Sequence, residues 1–534
     1  MMAGKIKIED ISREGDRPLI DISSEETTTL PCTMDKPPSI KPLTDEQATR
    51  LEHSLDGISA LGIPKPKSKA EEDELVQGFL SGLRKLLSQN DNWTFWQPLV
   101  YSLESCVRCQ TCSDACPIFL SSGRQEIYRP TYRGEVLQRI INTYLKRGGR
   151  FFSRLRGQEI DLNWSTVARL AESSYRCTLC KRCAQRCPMG VDNALISREI
   201  RKLFSQELGI APKELHDFGT IQQIRKGSTT GMTPVALRDS IEFIEEEIEE
   251  ITGSRIELPV DKKGAEYLLL HNAGEYLSWP ENIEAYAIIF DALGVDWTLS
   301  SDLGGYDSVN YGVWYDDVQL ARLALRHARA AKKLEVRKIL IGECGHAHKT
   351  LLVVADRVLI GELNIPRESA LPLLADAVCS DKIKLDPSRN DFPVTLHDPC
   401  NLVRMTGILE PQRRILRKIC PQFREMEPHG VENYCCGGGS GFAIMSSTNF
   451  PDWRMTVSGR MKYEQVLDAF QDVEDPQTKK YVCAPCSNCK GQLRDLLGYY
   501  QGREKYGVYY GGLAELIVNA MVDLERPFID WEWH

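Results

Sequence analysis

CVRCQTCSDACP (residues 106–117) and CTLCKRCAQRCP (residues 177–188) carry one spacing twice, C-x2-C-x2-C-x3-C-P. The first supplies Cys106, Cys109, Cys112 and Cys116, the second Cys177, Cys180, Cys183 and Cys187. A dispersed third group follows: Cys400, the pair Cys435-Cys436 ahead of Gly437, then Cys483, Cys486 and Cys489. Most of the chain's 18 cysteines fall in these groups. The N-terminus, MMAGKIKIEDISREGD, lacks the apolar core of a signal peptide. So many thiols without such a signal point to metal binding in a reducing compartment, not to a disulfide framework.

A [4Fe–4S] cubane needs four thiolates, and the repeated spacing is the bacterial ferredoxin arrangement. Three cysteines of each tight loop hold one cluster, and the fourth, before proline, reaches the other. The first cubane then takes Cys106, Cys109, Cys112 and Cys187, the second Cys177, Cys180, Cys183 and Cys116. Zinc also uses C-x2-C pairs, but two complete four-cysteine motifs favour iron.

At 534 residues the chain should form about three domains. Its net charge of -9 lacks the basic footprint of a nucleic-acid binder, so no nucleic-acid partner is expected. No segment has the ~18 uninterrupted apolar residues of a spanning helix. Residues 1–66 are polar and proline-punctuated and read as an irregular tail. A helical ferredoxin-like domain should span 67–215. It opens with a capping box at Ser68 and Glu71 and a helix carrying Leu75, Phe79, Leu83 and Leu86. Between the motifs, Arg133, Arg139, Lys146, Arg147, Arg150, Arg154 and Arg156 read as a solvated basic face. The sharper alternative is a docking face for an acidic partner or membrane subunit. A helical linker at 216–263 has Ile241, Ile244, Ile248 and Ile251 on one face and reads as a spacer or packing helix.

From 264 the pattern turns to strand–loop–helix units, and it repeats. AEYLLLHNAG (265–274) parallels PVTLHDPC (393–400), matching His271 with His397. Asp302-Leu303-Gly304-Gly305 parallels Cys435-Cys436-Gly437-Gly438. ILIGECGHAHKTL (339–351) parallels YVCAPCSNCKGQL (481–493), matching Cys344 with Cys486 and Ala347 with Cys489. The expected fold is mixed α+β: the helical two-cluster domain, a degenerate α/β repeat over 264–385, and a complete one over 386–534. The repeat alignment selects Cys486 and Cys489 over Cys483 as the late ligands, alongside Cys400, Cys435 and Cys436. Gly437-Gly438-Gly439-Ser440-Gly441 lacks the strand-then-GxGxxG context, so neither a nicotinamide nor a flavin site is expected. Its glycines suit close approach of backbone N–H groups to cluster sulfides. Cys344 should face the remaining centre, and His348, one helical turn on, or His346 could deliver a proton to a leaving thiolate. Cys32, Cys379 and Cys420 read as structural.

Cys400, Cys435-Cys436-Gly437 and the late C-x2-C resemble the cysteine-rich "CCG" domain. The layout with GECGHA, HDPCN and CCGGG resembles the D subunit of membrane-bound heterodisulfide reductases across nearly the whole chain after residue 90. The loss of all but one motif cysteine, Cys344, in the first repeat departs from that pattern. It matches the related K subunits of the dissimilatory sulfite-reductase-associated membrane complex (DsrMKJOP). The resemblance implies a noncubane [4Fe–4S] cluster held by five cysteines. It also implies a peripheral position on the cytoplasmic side of the membrane beside a b-type cytochrome subunit (DsrM-like), among other subunits of the complex. The implied substrate is a DsrC-like sulfur carrier in disulfide or trisulfide form. Electrons would pass singly through two cubanes to that cluster, which would reduce, or form, the sulfur–sulfur bond. Two alternatives stand: an electron-transfer subunit of a glycolate, lactate or glycerol-3-phosphate dehydrogenase, and a scaffold whose third site is structural zinc.

Overall fold

The computed structural model describes residues 61–532 except Trp93 and 446–452, plus the backbone of a ladder pairing Arg13–Glu14 with Arg17–Pro18. Most of the expected tail, and Cys32, lie outside the described residues. The capping box forms in part: Ser68 Oγ accepts from Glu71 N–H at 3.2 Å, while the Glu71 carboxylate takes the N–H of Lys67. The helix Lys69–Leu86 follows and buries Phe79, Leu83 and Leu86, with Phe79 against Phe204 of the helix Asn193–Leu208. Leu75, on the edge of that stripe, is only partly buried. Around this pair the helices Tyr132–Ile140 and Trp164–Tyr175 complete an all-helical unit carrying both ferredoxin-type motifs.

The remainder holds two four-stranded parallel sheets. In the first, β1 (Tyr267–Leu270), β2 (Trp297–Thr298), β3 (Lys338–Ile341) and β4 (Arg367–Ser369) lie in the order β2-β1-β3-β4. In the second, β5 (Val394–Leu396), β6 (Phe423–Arg424), β7 (Lys480–Cys483) and β8 (Val508–Gly511) lie in the order β6-β5-β7-β8. The two orders are the same once each strand is matched to its counterpart. Leu270 pairs with Ile341 in one sheet and Leu396 with Cys483 in the other, so His271 answers to His397 and Cys344 to Cys486, as the sequence repeat requires. The middle match does not hold. Asp302 and Leu303 lie at the surface, Asp302 paired with Lys333. The chain returning beside His271 is Asp307–Ser308, whose Ser308 N–H donates to the His271 carbonyl. The segments that join β2 to β3 and β6 to β7 differ in length, and a shared Gly-Gly pair is too weak a match to fix their register.

The helix Pro234–Thr252 is a packing element. Leu237, Ile241, Ile244, Ile248 and Ile251 are buried in a core shared with Ile283, Leu374, Leu396 and Leu516. At roughly 1.5–3 kcal/mol for each buried aliphatic side chain, this face belongs to the repeats and is no free spacer. Cys420 sits in the same core.

A buried charge network locks the helical unit to the first repeat. Asp317, at the start of the helix Asp317–Lys333, accepts from Arg198 and Thr94, and from Lys202 at 2.7 Å. Glu199 also pairs with Arg198 (2.7 Å) and Lys202 (3.0 Å).

The expected solvated basic face is only partly so. Arg133 is buried and donates to the Ser173 carbonyl at 3.3 Å, because its helix turns it inward toward the second cysteine motif. Lys146, Arg147, Arg150, Arg154 and Arg156 are exposed.

Candidate redox centre

Each ferredoxin-type motif begins with a left-handed turn, at Arg108 and Gln110 in the first and at Leu179 and Lys181 in the second. These turns curl three cysteines around one point. One cavity is walled by Cys106, Cys109, Cys112 and Cys187, another by Cys116, Cys177, Cys180 and Cys183. The fourth cysteine of each motif thus crosses to the other's cavity. The first cavity is the more open: Cys109 is exposed, and Val107 and Met189 beside it are 64% and 40% exposed.

The wall of the second cavity includes Cys435. Cys180 is in hydrogen-bonding contact with Cys435, which in turn contacts Cys400 and Cys436. Cys436 contacts Cys489, and Cys489 contacts Cys486. A continuous line of thiols therefore runs from the second ferredoxin-type cavity into the third group. Cys400, Cys435, Cys436, Cys486 and Cys489 share one buried cluster. Cys483, the last residue of β7, is buried in the separate core between the sheets, near Cys420.

The glycine run makes these contacts possible. Gly437 has φ +95°, a conformation that suits glycine, and its N–H points at Cys435 Sγ (3.4 Å). A Cβ on Gly437 would lie 2.4 Å from the backbone N and Cα of Gly459. Gly439 backs onto the Thr178 carbonyl, and Ser440 Oγ donates to the Cys177 carbonyl at 3.1 Å. The run is thus the seam between the two domains. Gly437→Ala is expected to displace Cys435 and Cys436, and EPR should show the third centre's signal lost with both ferredoxin-type signals kept.

Three buried arginines stitch this seam. Arg201 donates to the carbonyls of Ser174 and Cys177 (each 2.7 Å) and of Ser440 (3.2 Å). Arg404 donates to the Cys180 and Val431 carbonyls and to that of Asn433. Arg182 donates to those of Ala115 and Glu432. Burial pulls the Arg201 guanidinium down to about 10. Among the described residues neither Arg201 nor Arg404 has a carboxylate partner, and buried cations normally require a counter-charge. Thiolates carrying an anionic cluster would supply it, so the donor set and its surroundings fit iron–sulfur groups.

Two further residues at the third group escaped sequence reasoning. A ring nitrogen of His397 and the sulfurs of Cys436 and Cys489 lie within 4.8 Å of one another. The H-D-P-C context and the repeat match with His271 were its available signals. Lys462 is wholly buried, its Nζ donating to Asn433 Oδ1 at 2.7 Å and to Gln465. Burial pulls its ammonium down to about 7, against the opposing pull of Asp398 and the thiols of Cys436, Cys435 and Cys489. Nothing in R-M-K-Y distinguishes it from a surface lysine.

The GECGHA segment docks the repeats. Glu343 accepts from the Leu513 and Ala514 N–H groups at the start of the helix Leu513–Asn519 in the second repeat. Burial raises its carboxyl to about 7. The Gly345 N–H donates to Cys486 Sγ at 3.3 Å, and Cys344 lies beside Cys486. The histidines are placed otherwise than expected. Both nitrogens of His348 are occupied, by the Cys344 carbonyl and Ser369 Oγ (each 2.8 Å), and burial lowers it to about 4. His346 accepts from the Asn310 N–H at 3.0 Å against Trp314, and burial lowers it to about 3. His348 is therefore a tie within the first repeat, and His346 a neutral ring tied to the Asn310 loop. His348 is not placed as a ready proton donor, because both its nitrogens are held by its own repeat, whereas His346 keeps a buried Nδ1 without a partner among the described residues.

The 4Fe-4S dicluster domain family matches residues 102–191, and the cysteine-rich domain family matches residues 394–494. The chain is 26% identical to an Hdr-like menaquinol oxidoreductase iron–sulfur subunit 2 of Archaeoglobus fulgidus, covering 83% of each chain. It is 25% identical to the D subunit of the dihydromethanophenazine:CoB–CoM heterodisulfide reductase of Methanosarcina acetivorans, covering 74% of this chain and 88% of that one. A probable membrane-anchored ferredoxin of Chromohalobacter salexigens is 23% identical over 78% of this chain and 63% of its own. No solved structure matches. The cysteine cavities, the duplicated sheets and these similarities agree: the chain contains a 4Fe-4S dicluster domain and a cysteine-rich domain, and over most of its length it is similar to Hdr-like and heterodisulfide reductase D iron–sulfur subunits.

Proposed function

We propose that the protein is the electron-carrying and sulfur-reducing subunit of a membrane-associated complex. Cys106, Cys109, Cys112 and Cys187 hold one cubane, Cys116, Cys177, Cys180 and Cys183 a second, and Cys400, Cys435, Cys436, Cys486 and Cys489 a noncubane cluster. The observation that carries this reading is the unbroken line of thiols from Cys180 through Cys435 to Cys489. When bound, the clusters supply one-electron relays and, at the third site, a thiophilic metal face for sulfur–sulfur chemistry.

The chain's own residues prepare that chemistry. The exposed rim at Cys109, Val107 and Met189 offers a face for an electron donor. Arg201 and Arg404 fix the loops on either side of the seam and offset thiolate charge. Lys462 places a titratable ammonium against Cys435, Cys436 and Cys489, where new negative charge on sulfur would be balanced. Cys344, held against Cys486 by the Gly345 hydrogen bond, adds a sixth sulfur from the degenerate repeat. Five clustered cysteines and His397 exceed the four ligands of structural zinc, which favours iron.

The relatives' names place them in menaquinol and heterodisulfide oxidoreductases. Together with Cys344 as the one motif-matched thiol of the first repeat, this supports a K-subunit-like role. The protein would lie on the cytoplasmic side against a DsrM-like cytochrome and act on a DsrC-like carrier. No helix among the described residues is long and apolar enough to cross a membrane, in keeping with attachment through a partner. Holoprotein with reduced viologen is expected to consume a carrier disulfide or trisulfide. With oxidised dye it should leave glycolate, lactate and glycerol 3-phosphate untouched. Inertness toward every sulfur substrate, with all three clusters loaded, would reduce the protein to an electron relay.

A further inference from the structure

The helix Gly149–Leu155 (GRFFSRL) is turned inside out. Its buried positions are Gly149 and Ser153, while Phe151, Phe152 and Leu155 are 68%, 51% and 75% exposed. With 100° per residue, Phe151 and Leu155 stand together on the pole opposite Gly149 and Ser153. The arrangement is built in. A Cβ on Gly149 would lie 2.1 Å from the Asn142 carbonyl oxygen, so the glycine lets the helix seat directly on the backbone of the preceding turn. Arg150 stacks on Tyr144 at 5.1 Å, bracing the same turn from the side.

Around these apolar side chains stand Lys146, Arg147, Arg150, Arg154 and Arg156, all exposed. Residues 141–157 contain no Asp or Glu. Among the described residues none of the five cations has a carboxylate partner, on a chain whose net charge is -9. Exposed aromatic and leucine side chains ringed by unpaired cations match the chemistry of an anionic lipid surface. The cations attract headgroup phosphates, and the rings enter the headgroup–acyl boundary. A soluble acidic protein would satisfy the cations and leave two phenylalanines and a leucine to be matched separately.

We propose that residues 146–156 form a direct contact with anionic membrane lipid, made by this chain itself in addition to any partner subunit. The contact would hold the helical unit, with its exposed cysteine cavity, at the membrane surface. It does not depend on what the third centre reduces.

Flotation of full-length, iron-loaded protein with protein-free vesicles tests it. Binding is expected to vesicles containing phosphatidylglycerol, to fall with salt, and to be weak on phosphatidylcholine alone. Arg147→Ala, Arg154→Ala and Arg156→Ala together should weaken anionic-vesicle binding on the order of 100-fold, from roughly fivefold per cation. Phe151→Ser with Leu155→Ser should weaken binding on both vesicle types. Dye-driven turnover in solution should be unchanged in every variant, which separates failure here from failure of the sulfur reading. Four results would overturn the proposal: no binding to anionic vesicles, equal binding to neutral ones, wild-type affinity in the triple variant, or binding only to native membranes containing integral proteins. Vesicle binding that emerges only after deletion of residues 1–60 would also overturn it, by showing that the tail occupies this face.

Discussion

Cys436→Ala is expected to strip the third centre, lowering iron from about twelve to about eight per chain, and to abolish sulfur–sulfur reduction. Cys483→Ala should keep both. Cys436 touches Cys435 and Cys489 and faces His397 at the centre of the thiol cluster, so its loss breaks the donor set in two. Cys483, three residues before Cys486, ends β7 in the core between the sheets. Its truncation removes one sulfur from an apolar environment, a core change of about 1 kcal/mol. Iron analysis with low-temperature EPR on both variants checks the pair. Iron loss in Cys483→Ala with retention in Cys436→Ala would reverse the ligand assignment.

Asp317→Ala should be the most damaging substitution outside the cysteines, lowering apparent stability by about 3–5 kcal/mol. Removing the carboxylate leaves Arg198 and Lys202 buried at the contact between the helical unit and the first repeat with Glu199 alone for two cations. The same contact should be acid-sensitive. Burial would raise the Asp317 carboxyl, but the Arg198 and Lys202 cations outweigh it and hold the group down at about 2. A carboxylate depressed in the folded state contributes its stability above the unfolded pKa near 3.9 and loses it as pH falls toward 2. Denaturant titrations at neutral pH and across pH 4 to 2 should show the wild-type midpoint falling with acid more steeply than that of Asp317→Ala. Parallel pH profiles would place the acid-sensitive contact elsewhere.

Much of the architecture was legible because it is periodic or tightly spaced. Two C-x2-C-x2-C-x3-C-P runs can close in few ways, and the crossing of Cys116 and Cys187 follows from loop length. The repeat was readable where strands fix register, at His271 with His397 and Cys344 with Cys486. It was misread at Asp302, where a loop of different length breaks it. Arg133 was misread because a cation in a basic run looks solvated until a helix turns it inward.

By itself the sequence determined the number of thiol groups, their division into two ferredoxin-type loops and a dispersed set, and the doubled α/β unit. These depend on local spacing and on strand period. Tertiary structure alone decided that Cys435 reaches Cys180, that Arg201 and Arg404 stand at the seam with no carboxylate partner among the described residues, and that Lys462 faces three cysteines. It also withdrew His348, whose two nitrogens are consumed by its own repeat, and turned Phe151 and Leu155 outward. Each of these joins residues far apart in sequence or sets a helix face against a particular neighbour. Such contacts arise from burial and packing of whole domains, which no local pattern encodes.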